Sequence, residues 1–249
     1  MTNKPISLAY YDTPENAHKY HSQTGFDPPR KQEMLDVTLR LLRELAPAGG
    51  GLLEIGCGSG LFTQRLSASG HFGTLHATDG ADAILEIARS QLSEAAPPVT
   101  LGPLDFTQPN WSRQFLPARF DTVTSSMALH HAADKQQVFR EVFNVLAPGG
   151  VFVFADHMAG SSPSVDRLID RERGRVKLTS ASPTDNGSPT DEDLEVFAEA
   201  DRQSQEKQGN RCESVSRYLS YLQGAGFTNA DCLWRSYWLA VFVAQRPAE

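Results

Sequence analysis

The sequence predicts an α/β fold: a doubly wound, mostly parallel seven-stranded sheet whose last strand runs antiparallel. Three observations carry this. From residue 51 onward, short apolar runs alternate with helical stripes. A loop with glycine at every second position follows the first run. The last two runs are joined closely enough to pair as an antiparallel ribbon.

Residues 1–30 are rich in Tyr, His and Pro and give no clear period. Met34, Val37, Leu41 and Leu45 then recur at helical spacing, and "APAGGG" at 46–51 stops that helix. "GLLEI" reads as a buried strand, Leu61 to Leu66 as a helix opening on the glycine loop, and "TLHATD" as a second strand. Ile84, Ile87, Ala88 and Leu92 mark a helix, "PVTLGPLD" a third strand and "RFDTVTSS" a fourth. Val138, Phe139, Val142, Phe143 and Leu146 stripe the next helix, and "APGG" at 147–150 turns it into "VFVFAD". The rhythm breaks after His157. Residues 178–191, rich in Ser, Thr, Pro and Asp, predict a mobile loop, with a helix restarting at Thr190, where Thr190 and Asp193 have capping-box spacing. Val215, Tyr218, Leu219 and Leu222 form a further helical face, followed by the strands "TNADCLWRS" and "YWLAVFVAQ". The expected organisation is one domain over 1–249: an N-terminal helical segment (1–45), a core (46–157), a helical insertion (158–226) and a final strand pair (227–249).

The 249 residues, 40% hydrophobic, suffice for one large core. A net charge of −7 argues against a dedicated nucleic-acid binder, which needs clustered Lys and Arg. Cys57, Cys212 and Cys232 are widely spaced and odd in number, which suits a reducing cytosol. The polar first thirty residues carry no signal-peptide pattern, and the longest apolar stretch, "WLAVFVA" at 238–244, is far short of a membrane span. A soluble, cytoplasmic protein is expected.

The loop "LEIGCGSG" at 53–60 places Gly56, Gly58 and Gly60 between a strand and a helix. Glycine there lets the backbone turn tightly and a ligand approach without Cβ contact. Asp79 ends the next strand, where a ribose-binding carboxylate is expected. A dinucleotide would want G-x-G-x-x-G, but Leu61 stands where that pattern needs its third glycine. Glu54 beside the loop would repel a pyrophosphate and suit an ammonium or sulfonium group. A cationic adenosyl ligand explains both, and points to S-adenosylmethionine.

"LLEIGCGSGLFTQRL" resembles the first motif of the class I (Rossmann-like) S-adenosylmethionine-dependent methyltransferases. "TLHATDGADAILEIAR" resembles their second, "LGPLDFTQ" their adenine-binding turn, and "FDTVTSSMALHH…LAPGGVFVFAD" their fourth to sixth segments. The likeness runs from about residue 35 to 157 and returns in the last two strands. It implies that Glu54 and the backbone around Gly56, Gly58 and Gly60 hold the methionine part of the cofactor. It implies also that Asp79 accepts the ribose hydroxyls, Ile84 packs on adenine, Asp105 and the Phe106 amide bond the adenine edge, and Ser126 contacts the amino-acid end. Ile84 equally suits a plain core position, and Asp105 an Asx turn after a strand.

The resemblance implies in-line transfer of a methyl group from the sulfonium to a small-molecule nucleophile (O, N, S or C). Alignment is the main requirement, and a base only where the acceptor arrives protonated. His131 and His157 are the candidate catalytic residues, since both follow strand ends on the expected ligand edge; His130 and His131 equally suit a helix-start or packing pair. The segment is also similar to the acid–x–x–acid–His metal run of some O-methyltransferases, but Met127 and His130 replace both acids and no metal is expected. "AYYDTPENAHKYH" resembles the family's cofactor lid, where aromatic rings could face a sulfonium. The 158–210 insertion is expected to cap the substrate pocket. Three other readings stay open: a carboxy-S-adenosylmethionine synthase, which the tail from Leu219 is similar to; an NAD-dependent oxidoreductase; and a non-catalytic binding subunit. The oligomeric state is open too, with a homodimer as one option.

Overall fold

The computed structural model describes residues 4–22, 28–95, 98–181 and 188–248. Seven strands are formed: β1 (Gly51–Ile55), β2 (Thr74–Asp79), β3 (Val99–Pro103), β4 (Phe120–Ser126), β5 (Leu146–His157), β6 (Thr228–Ser236) and β7 (Leu239–Gln245). Their order across the sheet is β3-β2-β1-β4-β5-β7-β6. The first five run parallel, while β7 is antiparallel to both β5 and β6. From β1 the chain winds outward to β3, then returns to the other side of β1 as β4. That reversal between β1 and β4 is where open α/β sheets leave a crevice at the C-terminal strand ends.

Period-2 alternation divides the core between the two faces of the sheet. Leu53, Ile55, Phe152, Phe154 and Phe242 share one cluster with Val138, Phe139 and Val142 of α6 (Lys135–Val145) and with Tyr218 and Leu222 of α9 (Val215–Gly224). Leu52, Val151, Val153 and Val241 point the other way, onto Met34 and Leu42 of α3 (Pro28–Leu45) and Phe62 and Leu66 of α4 (Leu61–Ala68). Phe154 stacks on Phe242 at 4.8 Å and Tyr218 on Phe242 at 5.4 Å, all fully buried. Each such ring contributes roughly 2–3 kcal/mol by leaving water.

Outside this core the sequence is less transparent. Residues with no readable period form α1 (Ile6–Tyr11) and α2 (Pro14–Ser22). These helices are short and polar, and pack chiefly through Ala17 and two tyrosines against Ala81 and Ile84 of the segment that opens α5 (Asp82–Gln91). The turn expected at 147–150 is instead the first part of β5, because Gly149 donates to the Arg246 carbonyl and Arg246 donates to the Gly150 carbonyl. Helix α7 (Pro163–Ala181) fills the span after His157 and covers the start of the segment expected as a loop; residues 182–187 lie outside the described residues. Helix α8 (Asp191–Lys207) begins where predicted, with Thr190 and Asp193 forming a reciprocal capping box. It packs on α7 where Gly174 lets the helices close; a Cβ there would meet Leu194 Cδ2 at 2.8 Å.

Candidate functional site

A cavity of about 700 Å³ opens over the C-terminal ends of β1, β2, β4 and β5, within the usual size range of small-ligand sites. Gly56 and Gly58 line it at the end of β1, Asp79 at β2, Met127 and Ala128 after β4, and His157 at β5. Gly56 and Gly58 have φ of +70° and +56°, and Gly60 +87°, all in the left-handed region. A Cβ on Gly56 would lie 2.3 Å from Ala128 Cβ, so the loops after β1 and β4 touch only because position 56 lacks one. Gly56→Ala is expected to lower unfolding free energy by about 2–5 kcal/mol, combining left-handed strain with overpacking. Urea denaturation reads this directly. Gly60 instead caps α4 and sets its α-carbon against α5, where a Cβ would lie 3.1 Å from Leu92 Cδ1.

Asp79 braces the loop. Its Oδ2 accepts the Gly58 amide at 2.9 Å and its Oδ1 the Ala81 amide at 3.0 Å. Burial raises its pKa, opposed by these amides. Glu54 lies behind the loop rather than at its mouth, 1% exposed and absent from the cavity wall. Thr63 Oγ1 donates to Glu54 Oε2 at 2.6 Å, while Oε1 is buried with no partner among the described residues. Burial pushes the Glu54 carboxyl up to about 7; Asp79 adds to this and the Thr63 hydrogen bond opposes it. The folded chain therefore binds more protons than the unfolded one between pH 4.5 and 7, and stability falls as pH rises through that window. The loss is on the order of 3 kcal/mol, and Glu54→Gln is expected to remove the slope in unfolding curves taken at pH 5 and pH 8.

Two other expected contacts are arranged differently. Asp105 closes the Asx turn that was its alternative reading: Oδ1 accepts the Thr107 amide at 3.0 Å and hydroxyl at 2.5 Å, and Oδ2 the Gln108 side chain at 2.9 Å. It faces a separate cleft, whereas its neighbour Phe106 lines the main cavity with Ile84. Ser126 ends β4 without lining the cavity.

Over the mouth, α2 brings the Tyr20 ring onto the loop, its hydroxyl 3.0 Å from where a Gly58 Cβ would stand. Tyr11 contacts Tyr20 edge-on at 5.5 Å and His131 at 5.7 Å. The Asp12 carboxylate accepts the Ala83 amide at 3.2 Å, tying this segment to α5.

Three histidines meet on the far wall. The His130 ring lies 4.1 Å from His131 and 5.0 Å from His157, and all three line the cavity. Burial and the neighbouring His130 hold His131 and His157 well below the usual imidazole range, so both are neutral at pH 7. His130 Nδ1 meets Asp156 Oδ1 at 2.5 Å, and the Tyr218 hydroxyl donates to Asp156 Oδ2 at 2.9 Å. Asp156 is fully buried. Sequence reasoning did not select Asp156 as a site residue, although the residue beside His157 in "FADH" ends a strand next to the one that leads into "LHH".

With this geometry in place, the family description "Methyltransferase domain" matches residues 53–152. Residues 53–152 thus resemble a methyltransferase domain. The chain is 24% identical over 176 residues to an uncharacterised methyltransferase of Bacillus cytotoxicus, covering 69% of this chain and 78% of that one. It is 36% identical over 104 residues to a demethylmenaquinone methyltransferase of Lactococcus lactis, 41% of this chain and 40% of the relative. A match to a further uncharacterised methyltransferase, of Oceanobacillus iheyensis, is 32% identical and spans 49% of this chain and 54% of the relative. The chain thus spans about half the length of the latter two. Among solved structures, the magnesium protoporphyrin IX methyltransferase of Synechocystis PCC 6803, with bound SAH, superposes with a TM-score of 0.63 at 13% identity, covering 98% of this chain and all of that one. An O-methyltransferase family protein of Burkholderia thailandensis gives 0.65 at 13% identity, over 96% of this chain and 62% of that one. At such identities these structures share the fold. Among the described residues no helix is long and apolar enough to cross a membrane.

Proposed function

We propose that this chain transfers a methyl group from S-adenosylmethionine to a small-molecule nucleophile, acting as one unit with α1–α3 as lid and α7–α9 as cap. The observation that carries the reading is the joint arrangement of the left-handed Gly56–Gly60 loop, Asp79 at its edge and the unpartnered Glu54 Oε1 behind it. A buried oxygen without a donor costs stability unless a ligand supplies one; the ammonium of an amino-acid moiety would do so once the Gly56–Gly60 loop in front of Glu54 shifts to admit it. Asp79 would exchange its amide partners for ribose hydroxyls, while Ile84 and Phe106 supply apolar faces for adenine. Asp105 holds the turn that presents Phe106. When bound, S-adenosylmethionine supplies a methyl group already activated on sulfur.

The chain then has to align and deprotonate the acceptor. Asp156 holds the Nδ1 side of His130, which leaves Nε2 with no hydrogen bond among the described residues and suited to accept a proton. We therefore assign the base role to His130, with Asp156 and Tyr218 orienting it, rather than to His131 or His157. The last two are neutral cavity walls. Tyr11 and Tyr20 close the mouth with π faces that suit a cationic ligand. A cavity of this size and a net charge of −7 favour a small acceptor over nucleic acid, and the free cysteines suit the cytoplasm.

Isothermal titration of the apo protein with S-adenosylhomocysteine and with NAD tests the assignment. Micromolar or tighter binding of the first alone is expected. Tight NAD binding with no response to S-adenosylhomocysteine would replace it with the oxidoreductase reading.

A further inference from the structure

The cap end of the cavity carries a charge arrangement that cofactor binding does not use. Lys31 of α3, with Arg173 and Lys177 of α7, lines this end, and Asp201 of α8 is the acid beside them. Asp201 Oδ2 lies 3.2 Å from Arg173 Nη2. The other acid on the cavity wall, Asp79, is engaged by two backbone amides on the opposite side. Lys31 has no hydrogen bond or ion pair among the described residues, and burial alone depresses its ammonium, with no carboxylate offsetting it. The nearby His157 offers no negative charge in either protonation state, and burial, with the His130, Arg173 and Lys31 charges, keeps it neutral.

The helix start that carries Lys31 is anchored. The preceding residue, Arg30, pairs with Glu172 at 2.8 Å and lies over the Trp238 ring at 5.1 Å, which locks α3 against α7. A part-buried cation with no counter-charge beside it is a seat where an anion gains a charge-assisted contact. The same cavity also carries apolar side chains, Met127, Phe197, Trp238 and Leu239.

We infer that the acceptor is an organic anion with an apolar body, its carboxylate or phosphate seated on Lys31 beside Arg173. This rests on the methyl-transfer reading for the word acceptor, but the anion seat itself does not. The seat fixes one end of the molecule at α3 and α7 and leaves the other to approach the His130 side.

Two dyes of nearly identical body test it. 8-Anilinonaphthalene-1-sulfonate carries an anion, and N-phenyl-1-naphthylamine lacks it. The wild type is expected to bind the sulfonate at least about tenfold more tightly, the worth of one charge-assisted contact. Lys31→Met should erase that preference, and Lys31→Arg should keep it. Displacement by benzoate or by phenyl phosphate then shows which head group the seat prefers. Equal binding of the two dyes by the wild type, or an unchanged preference in Lys31→Met, would overturn the inference. So would a Lys31→Met variant that loses S-adenosylhomocysteine affinity and keeps its dye preference, since Lys31 would then serve the cofactor carboxylate. A wild type that prefers the sulfonate yet ignores S-adenosylhomocysteine would keep the anion seat and overturn the methyl-transfer reading instead.

Discussion

Asp79→Ala is expected to weaken S-adenosylhomocysteine binding by roughly 10²–10⁴-fold, the loss of two hydrogen bonds to a charged group. The same carboxylate holds the Gly58 and Ala81 amides. Removing it therefore also loosens the loop, at a cost of about 1–3 kcal/mol in unfolding free energy. The two effects separate in Asp79→Asn, which keeps one acceptor oxygen and the side-chain shape. That variant should retain most of the stability and lose most of the affinity. Calorimetric titration and urea denaturation on the same samples measure both. An unchanged dissociation constant in Asp79→Ala would refute the ribose role.

The second large effect is expected at His130. His130→Gln should lower the turnover of whichever acceptor the wild type methylates by about 10²–10⁴-fold, the usual worth of a positioned base. S-adenosylhomocysteine affinity should stay within a few-fold, and the loss should fall on kcat rather than KM. Asp156→Asn should behave alike, because an amide can no longer fix the Nδ1–H tautomer. Both substitutions touch a buried network that includes Tyr218, so thermal midpoints need to be compared alongside. Wild-type turnover in His130→Gln would show that the acceptor arrives deprotonated and that alignment alone suffices.

How far these sites could be read from residues depended on the range of the contacts involved. Most strands announce themselves as short runs bounded by Gly, Pro or Asp, and a parallel, doubly wound sheet follows from their alternation with helices. Thr190 and Asp193 could be paired from spacing because a capping box is complete within four residues. Asp79 and the glycine loop were likewise legible, since backbone conformation alone demands glycine at 56, 58 and 60. The His130–Asp156 contact spans 26 residues and two strands, so no local pattern reports it. Glu54 was recognised, but not its burial, which depends on α4 folding back to deliver Thr63. Helices α1, α2 and α7 fall inside the helical segments expected at 1–45 and 158–226, but their bounds were not legible because their buried sides are small. In α7 the buried positions include Ile169 and Arg173, and an arginine does not read as core.

The central claim is that the crevice beside β1 is shaped for adenosine joined to a positively charged sulfur. A crystal of this chain soaked with S-adenosylhomocysteine tests it most directly. The account predicts ribose hydroxyls on Asp79, adenine between Ile84 and Phe106, and the ligand's amino group directed at Glu54. Density for a dinucleotide bridge in crystals offered NAD, or a crevice left empty by S-adenosylhomocysteine, would contradict it.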